Sequence, residues 1–479
     1  MKSVILETEH KNRYLYSDKN KDFIYIPKGL EKIMKGDADG TEKDDYYKRK
    51  YDFLKDNGFL TESHYNFTTR YAERSLEYNL ANLRSLLFEV TDGCNLSCKY
   101  CGYGELYNNY DERNNKKMSF EDAKCFIDFL NTFWHSSANV SYNNTIVVGF
   151  YGGEPLMNMP LIKEIITYLE SLDITNIHFK YNMTTNAVLL DRYMDYLIDK
   201  DFQLLISLDG SRKNNQYRIM KNGQESFDLV FKNINLLRIK CPTYYESNVN
   251  FNAVIHNQNS SEEVINFIGE KLEKKPRVTE LNTNGVSADK EEEFRKIFIE
   301  RSFTFKKDSF DDSDKLDWLF ADSRIILFNA FIEAYLSNTY HAYPDIFPSR
   351  SEKYIPTGTC KPFSRKIFLT VNGKILPCER VGQQFALGWV KDGKVDMDLE
   401  QVANFYQSTL EKVLPQCSRC ILWRNCSLCV FYVKEKEGKR TCTRFIPESK
   451  AFSYLSRMIS FVESTPKLYK RLIQELVIY

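Results

Sequence analysis

The sequence predicts an α/β protein in which a parallel sheet carries helices on its outside, with a small domain before the sheet and a cysteine-rich domain after it. Two observations lead to this prediction. Apolar strand patterns and helical patterns alternate six times between Leu86 and Asn282. Ten of the 12 cysteines fall in two groups, one inside this repeat and one after it. The repeat supplies the sheet, and the cysteine groups indicate metal chemistry.

The repeating strands are short apolar runs, and an amphipathic helical pattern lies between each strand and the next. Strands are predicted at 86–91, 145–151, 178–184, 203–209, 248–255 and 278–282, with helices at 119–133, 160–172, 190–199, 226–237 and 262–272. Such units form a parallel sheet because each helix returns the chain to the end of the sheet at which the previous strand began, by a right-handed connection. Ligands of these folds bind at the carboxyl ends of the strands, so side chains there are the candidates for function.

Size and charge narrow the classes of function. A chain of 479 residues is long enough for about two to four domains. Lys and Arg number 66 against 65 Asp and Glu, which gives no support for a nucleic-acid partner. No apolar run is long enough for a transmembrane helix, and the first ten residues do not resemble a signal peptide. We therefore expect no membrane partner and a cytoplasmic location.

Residues 1–84 are predicted to form a separate small domain. Arg13–Tyr16 and Phe23–Ile26 alternate around a polar turn, which indicates a β-hairpin. A short helix follows from Pro27 to Gly36, and a second spans Tyr46–Leu54. Strands followed by helices are similar to the small winged PqqD-like domains that hold leader peptides, which bind by adding a strand to a sheet edge. A family-specific extension without this role remains an equal alternative.

The loop after the first strand of the repeat is the centre of the predicted chemistry. Cys94, Cys98 and Cys101 stand at C-x3-C-x2-C spacing, close enough to hold one iron–sulfur cube. Three thiolates leave one iron of such a cube open for a small molecule. A zinc site and unpaired core cysteines are the alternatives, although zinc requires a fourth ligand and the next cysteine is Cys125. Cys125 and Cys241 stand apart from both groups and are predicted to be structural.

This loop, with Tyr100 before its third cysteine, resembles the signature of the radical S-adenosylmethionine (SAM) enzymes. The resemblance implies a partial (β/α)6 TIM-like barrel in which the open iron takes the amino and carboxylate groups of SAM. Tyr151-Gly152-Gly153-Glu154-Pro155 matches the family's "GGEP" motif, in which Glu154 accepts from the SAM ammonium or braces the backbone around it. Standing alone, the same residues would be more typical of a turn.

Further SAM contacts are predicted at the ends of later strands. Thr185 and Asn186 end the third strand, where a hydroxyl and an amide suit a sugar or a peptide backbone. Ser207-Leu208-Asp209-Gly210 with Arg218 resembles the "SLDG…R" element, whose Ser and Arg hold the SAM carboxylate, a role that suits a guanidinium. Ile255 is the residue that the resemblance places against adenine, and His256 is assigned no role.

The second cysteine group resembles the SPASM domain, which carries two auxiliary [4Fe–4S] clusters and brings the total to three. The resemblance implies that Cys360, Cys378 and Cys429 hold one cluster. It implies that the other is held by Cys417, Cys420, Cys426 and Cys442. The gap between Cys426 and Cys429 is one residue shorter than usual, which leaves the assignment of these two open. From spacing alone, a pair of zinc sites is equally consistent. The first auxiliary cluster has three motif ligands, so a residue outside the motif completes it or one iron is open to substrate.

One candidate catalytic residue lies beside this group. Glu379 follows Cys378 directly, and in the related sulfatase-maturing enzymes an acidic residue at this place takes the substrate proton. A solvated loop carboxylate is the alternative. The predicted domains are a leader-binding domain at 1–84, the radical SAM barrel at 85–300, a helical bridge at 301–350, the SPASM domain at 351–450 and a C-terminal helix at 451–479. The bridge is predicted to contain a long amphipathic helix at 318–335, and the SPASM domain a β-hairpin around Asn372-Gly373. The C-terminal helix is predicted to be amphipathic, and its apolar faces carry Phe452, Leu455, Met458, Ile459 and Leu468.

The combined motifs predict a radical SAM/SPASM enzyme that modifies a ribosomally made precursor peptide. A 5′-deoxyadenosyl radical takes a hydrogen from the substrate, and the expected product is a thioether or carbon–carbon cross-link. The implied partners are the precursor with its leader and a reducing electron donor of flavodoxin or ferredoxin type. Two alternatives stay open: a sulfatase-type maturase that makes formylglycine, and a non-catalytic scaffold bearing metal.

Overall fold

In the computed structural model the chain divides into two compact units, each assembled from separate stretches of sequence. The sheet unit contains residues 70–302 and 360–407, and the composite unit contains residues 1–69, 303–359 and 408–479. The residues described by the structure are 4–37, 40–141, 143–299, 323–336, 353–436, 439–442 and 444–475. Within these ranges, no helix is both long enough and apolar enough to cross a membrane.

The composite unit begins with a three-stranded antiparallel sheet and two helices. In chain order these are β1 (Val4–Glu7), β2 (Arg13–Ser17), β3 (Asp22–Tyr25), α1 (Lys28–Lys35), α2 (Glu42–Asp56) and the short β4 (Asn66–Phe67). The predicted β2–β3 hairpin is present, and β1 adds to the free side of β2. Gly36 ends α1 in a left-handed conformation, as its position after the helix predicts.

The sheet unit carries the predicted β/α repeat. In chain order it contains α3 (Glu73–Ala81), β5 (Ser85–Thr91), β6 (Leu96–Cys98), α4 (Phe120–Trp134), β7 (Asn144–Gly152), α5 (Met159–Ser171), β8 (Ile177–Thr185), α6 (Leu190–Asp199), β9 (Gln203–Ser207), β10 (Arg218–Met220), α7 (Phe227–Lys240), α8 (Pro242–Asn248), β11 (Val249–Ile255), α9 (Ser261–Leu272), β12 (Arg277–Glu280) and α10 (Glu291–Ile297). The order β5-β7-β8-β9-β11-β12 follows the sequence and every pair is parallel.

This arrangement confirms the α/β class with a mainly parallel central sheet. The carboxyl ends of β5, β7, β8 and β9 therefore lie side by side at one edge. The strand predicted to reach Asp209 ends earlier, at Ser207, because the chain then turns through Gly210 at a φ of 115°. Two short strands that the sequence did not predict, β6 and β10, pair with each other outside this sheet.

The predicted helix at 318–335 is described only as α11 (Ser323–Tyr335), and most of the predicted bridge at 301–350 lies outside the described residues. The prediction of an amphipathic helix is wrong for the described part. Ile326 and Leu327 are about half exposed, whereas Phe328 and Phe331 are fully buried, so apolar side chains stand on both sides of α11. The short strand β13 (Lys353–Tyr354) then pairs with β4 in the same unit.

The predicted hairpin around Asn372-Gly373 is present and extends the main sheet. It consists of β14 (Ile367–Leu369) and β15 (Lys374–Leu376), and β16 (Gly388–Lys391) and β17 (Lys394–Asp396) follow. β14 pairs in parallel with β5, so these four strands and the six parallel ones form a single sheet of ten. This pairing brings the residues after β15, Cys378 and Glu379, into the sheet unit.

The chain ends in the composite unit. Helix α12 (Leu399–Glu411) begins in the sheet unit. The elements after it belong to the composite unit and are α13 (Leu414–Cys417), β18 (Lys434–Lys436), β19 (Lys439–Thr441), α14 (Ala451–Ser464) and α15 (Pro466–Glu475). The single C-terminal helix that the sequence predicts is thus two helices, because Pro466 starts a new one. Phe452, predicted on an apolar face, is 45% exposed, whereas Leu455, Met458, Ile459 and Leu468 are buried.

The turn between β14 and β15 gives a prediction about stability, because Gly373 is both left-handed and closely packed. Gly373 has a φ of 78°, and a Cβ there would come 2.3 Å from the carbonyl oxygen of Val390. Gly393 has a φ of 71° with open space around its Cβ position. We expect Gly393→Ala to cost about 1 kcal/mol through backbone strain alone, and Gly373→Ala to cost about 3 kcal/mol because the clash is added. Thermal melting of both variants measures the difference, and equal melting temperatures would contradict it.

Candidate active site

The cluster loop leaves β5 and passes through the short strand β6 before reaching the third cysteine. Cys94, Cys98 and Cys101 are all partly buried, and none is in a disulfide. Strand β6 pairs with β10 in antiparallel register, which sets Cys98 opposite Arg218. The loop is therefore held by backbone hydrogen bonds to a segment more than 100 residues further along the chain.

Burial raises the pKa of the Cys94 thiol to about 11 and that of Cys98 to about 12. Donors nevertheless point at the first of these sulfurs: the amide of Leu96 lies 3.4 Å and Asn186 Nδ2 lies 3.7 Å from Cys94 Sγ. Among the described residues, no three His, Cys, Asp or Glu side chains stand close enough to share one metal ion. A cubane cluster does not require this, because each iron takes a thiolate of its own.

The Gly152-Gly153-Glu154 segment lies directly against the start of the cluster loop. The amide of Gly153 donates to the carbonyl of Thr91 at 2.9 Å, and the amide of Glu154 donates to the carbonyl of Gly93 at 2.9 Å. A Cβ on Gly152 would stand 2.1 Å from the Thr91 oxygen, and a Cβ on Gly153 would stand 2.0 Å from the Gly93 oxygen. Only glycine permits this approach, so the segment is more than a generic turn.

Glu154 is fully buried, and both of its carboxylate oxygens accept hydrogen bonds from the protein. It accepts from the hydroxyl of Thr185 at 2.7 Å, from the amide of Asn186 at 2.8 Å and from the amide of Leu156 at 3.1 Å. Asn186 in turn donates to the side chain of Asn95 in the cluster loop at 2.7 Å. Of the two roles predicted for Glu154, the structure displays the bracing of the backbone. Its burial raises the pKa of Glu154 to about 7.

Arg218 is held by a carboxylate, Asp209, for which no role was predicted from the sequence. Asp209 is fully buried and accepts from Arg218 Nε at 3.1 Å, from the Tyr100 hydroxyl and from the amide of Val254 at 3.0 Å. Burial opposes ionisation, but the Arg218 guanidinium and these donors hold the pKa of Asp209 below its usual value. His256 is also fully buried, with Nε2 3.7 Å from Asp209. The sequence feature that could have identified Asp209 is an acidic residue at the end of a predicted strand.

The remaining predicted SAM contacts are Ser207 and Ile255. Ser207 is partly buried at the end of β9, beside Asn252 of β11. Ile255 is buried, but successive residues of a strand face opposite sides. Val254, its neighbour, packs against the apolar cluster that contains Tyr100. The structure therefore places Val254 rather than Ile255 on the side of the cluster loop.

Glu379 lies near three tyrosines that were not predicted from the sequence. Its carboxylate is paired with Lys366 Nζ at 3.0 and 3.1 Å, and 13% of the side chain is exposed. Burial, and next the thiols of Cys378 and Cys101, raise the pKa of Tyr110 to about 12. The Tyr103 ring contacts those of Tyr110 and Tyr151, with centroids 4.6 and 6.2 Å apart. An aromatic cluster thus lies between the cluster loop and Glu379.

The second cysteine group is divided between the two units. Cys360 and Cys378 belong to the sheet unit, and the other five belong to the composite unit. Burial, and next the thiols of Cys426, Cys420 and Cys442, raise the pKa of Cys417 to about 12, so these four sulfurs are neighbours. A cavity of about 280 Å³ lies beside this group, lined in part by Cys420, Tyr65, Trp423 and Arg424.

Comparison with known proteins identifies the domain to which the cluster loop belongs. Residues 88–269 match the model of the radical SAM superfamily. An uncharacterized protein of Methanocaldococcus jannaschii is 34% identical over 157 residues, which are 33% of this chain and 49% of that protein. A cysteine-type anaerobic sulfatase-maturating enzyme of Clostridium novyi is 29% identical over 162 residues, 33% of this chain and 41% of that enzyme. Less than half of each relative is therefore matched.

A solved structure shares the fold over a longer range. The structure described as "Native anSMEcpe with bound AdoMet and Kp18Cys peptide" has a TM-score of 0.51 and 18% sequence identity. The similarity covers 82% of this chain and 99% of that one. The radical SAM superfamily uses SAM and a [4Fe–4S] cluster, and the residues present fit both. Three groups lie at one edge of the sheet: the three thiols of the cluster loop, the Gly152-Gly153 segment, whose backbone leaves no room for a Cβ, and the buried guanidinium of Arg218.

The close approach at Gly153 gives a direct prediction. Gly153→Ala would push the segment away from the Gly93 carbonyl and shift the cluster loop, so we expect the iron bound by that loop to be lost after anaerobic reconstitution. Gly102 follows Cys101 in the same loop and has open space at its Cβ position. Gly102→Ala should retain the iron of the wild type. Full iron content in Gly153→Ala would show that the contact does not position the loop.

The buried Glu154 gives a prediction about pH. Its pKa of about 7 in the folded chain lies above the usual 4.5, so between these values only the folded state holds the proton. The resulting stabilisation is complete below about pH 4.5 and is lost as the pH rises through 7. We expect the wild type, without SAM, to lose about 3 kcal/mol relative to Glu154→Gln between pH 5 and pH 8. Parallel curves of melting temperature against pH would refute this assignment.

Proposed function

We propose that this chain, whose residues 88–269 form a radical SAM domain, is an enzyme that modifies a ribosomally made peptide, installing a thioether or carbon–carbon cross-link. The observation that carries the proposal is the meeting of three features at one edge of the sheet. These are the three-cysteine loop, the glycine segment held against it and the buried Arg218 opposite Cys98.

The roles of the chain's own residues follow from this geometry. Cys94, Cys98 and Cys101 would hold the [4Fe–4S] cluster that binds SAM. Gly152 and Gly153 bring backbone amides and carbonyls close to the cluster loop, and Arg218 with Ser207 would hold the SAM carboxylate. Together the cluster and SAM supply a 5′-deoxyadenosyl radical that takes a hydrogen atom from the substrate. Burial of these groups excludes water from the site.

Glu379 and the tyrosines beside it would meet the substrate. The carboxylate of Glu379 is a proton acceptor for the substrate group that is oxidised, and the ammonium of Lys366 fixes its orientation. Tyr103, Tyr110 and Tyr151 give this region aromatic surface on which a peptide side chain can pack. Truncating Glu379 would then slow product formation more than it weakens SAM binding.

Residues 1–84 would bind the leader of the precursor along β3. Strand β3 is an edge of its sheet, since β2 separates it from β1. The amide of Ile26 donates to the carbonyl of Arg13, so by the alternation of antiparallel pairing the backbone groups of Phe23 and Tyr25 point away from β2. Tyr25 is 56% exposed. A peptide can add to this edge as a fourth strand.

Two auxiliary [4Fe–4S] clusters complete the proposal. The mutual proximity of Cys417, Cys420, Cys426 and Cys442 supports their joint assignment to one of them. The assignment of Cys360, Cys378 and Cys429 to the other rests on the sequence resemblance alone. One of these clusters would take up the electron released as the product bond forms, and a flavodoxin- or ferredoxin-type donor would reduce the SAM cluster.

A sulfatase-type maturase that makes formylglycine is the second candidate. Its support is the acidic Glu379 after Cys378, together with the similarity to the enzyme of Clostridium novyi. The two candidates differ in substrate. Conversion of a sulfatase peptide by the reduced enzyme would favour the maturase, whereas cross-linking of a short peptide encoded beside this gene would favour the first proposal.

Metal content tests the proposed clusters. After anaerobic reconstitution we expect about twelve irons per chain in the wild type and about eight in the Cys94→Ala/Cys98→Ala/Cys101→Ala variant, because one cube is lost. The variant should also lose SAM cleavage, measured as 5′-deoxyadenosine. Cys125→Ala, outside both cysteine groups, should keep both properties. Zinc without iron in all three proteins would favour the non-catalytic scaffold, and a drop from about eight irons to about four would leave one auxiliary cluster.

A further inference from the structure

We propose that Asp209 is a positioning residue that ties the cluster loop to Arg218, so that cluster geometry and SAM affinity depend on the same buried carboxylate. The inference rests on the proposed SAM site and deepens it. The sequence motif indicates Ser207 and Arg218 as ligand contacts. The structure shows that Arg218 is itself held by Asp209, and we call Asp209 and its hydrogen-bond donors the Asp209 hub.

Asp209 accepts hydrogen bonds from three separate segments of the sheet unit. Tyr100 comes from the cluster loop, Arg218 from β10, and the amide of Val254 from β11. The two oxygens divide this work: Oδ1 accepts from Val254, and Oδ2 accepts from Tyr100 and Arg218. A carboxylate with no exposed surface is tolerated only when it is paired and hydrogen-bonded in this way.

The same carboxylate therefore fixes two groups with different tasks. Tyr100 stands between Cys98 and Cys101, so its position sets the path of the chain between these two thiols. Arg218 is opposite Cys98 in the β6–β10 pair, and its guanidinium carbon lies 5.7 Å from the centre of the Tyr100 ring. Only 9% of the Arg218 side chain is exposed, so water cannot replace the charge of Asp209 if that carboxylate is removed. Without Asp209, both groups lose their common anchor.

His256 packs against both Asp209 and Tyr100 of the Asp209 hub. Its Nδ1 accepts from the amide of Gln258 at 3.2 Å, which leaves Nε2 to carry the ring proton towards Asp209. The imidazole stacks on Tyr100, with ring centroids 5.3 Å apart and planes inclined by 27°. It also contacts Tyr217 at 4.7 Å. His256 thus packs the tyrosine into place and keeps water from the carboxylate.

Tyr217 offers a matched control for the hydroxyl that Tyr100 gives to Asp209. It lies beside Tyr100 and His256, but its hydroxyl donates to Asn257 at 2.7 Å. Tyr100→Phe and Tyr217→Phe therefore remove the same atom from adjacent rings, and only the first change leaves Asp209 short of a donor.

The test measures SAM affinity, iron content and the electron paramagnetic resonance spectrum of the reduced cluster, in the full chain after anaerobic reconstitution. We expect SAM binding to weaken about fivefold in Tyr100→Phe and about thirtyfold in Asp209→Asn. Tyr217→Phe should change it by less than about twofold. The spectral change on SAM addition should be altered in the first two variants and retained in the control. In the Asp209→Asn background, Tyr100→Phe should add nothing, because the shared acceptor is already impaired.

The outcomes separate this inference from the proposal beneath it. If the wild type holds iron but does not bind SAM, the proposed function fails and the inference fails with it. If the wild type binds SAM and Tyr100→Phe behaves like Tyr217→Phe, the inference alone is overturned. Additive effects of Tyr100→Phe and Asp209→Asn would also overturn it, since they would show that the two residues act independently. Should Asp209→Asn not fold, the comparison of the two tyrosine variants decides the question.

Discussion

The arrangement of the candidate site depends on the buried carboxylate of Glu154. It follows β7, it takes donors from the end of β8, and its own amide holds the loop that leaves β5. Three neighbouring strand ends are thereby fixed by one residue. Because an unsatisfied carboxylate in this position would be costly, the donors and the backbone path around it must be kept together. The glycines before Glu154 are the condition for this contact, since any larger residue would separate the two loops.

The sequence was sufficient to predict features that arise from local pattern. The strands of the repeat follow from short apolar runs, and the cysteine loop follows from spacing. The partners of Asp209 could not be predicted in this way, because they lie 9, 45 and 109 residues away along the chain. The same limit applies to the parallel pairing of β14 with β5, which depends on packing between distant segments. Ile255 was chosen by its place in a motif, whereas the alternation of the strand favours Val254.

Two of the buried carboxylates in the sheet unit, Glu154 and Asp209, respond differently to burial. Glu154 has only neutral donors, and burial raises its pKa towards neutrality. Asp209 has a guanidinium beside it, and its pKa is lowered despite equal burial. The first can change its charge near neutral pH, whereas the second stays ionised. The charge of the region around Glu154 therefore depends on pH near neutrality, whereas the charge of the region around Asp209 does not.

The composite unit has a consequence for how the protein is made. Its core combines Leu6 and Tyr16 with residues of α11, α14 and α15, so the first strands share their hydrophobic contacts with the last helices. A ribosome releases β1 and β2 long before those helices exist. The nascent N-terminal segment keeps this apolar surface uncovered until those helices have been synthesised, a period in which chaperones would be expected to hold it. Expressed alone, residues 1–84 would lack part of their core.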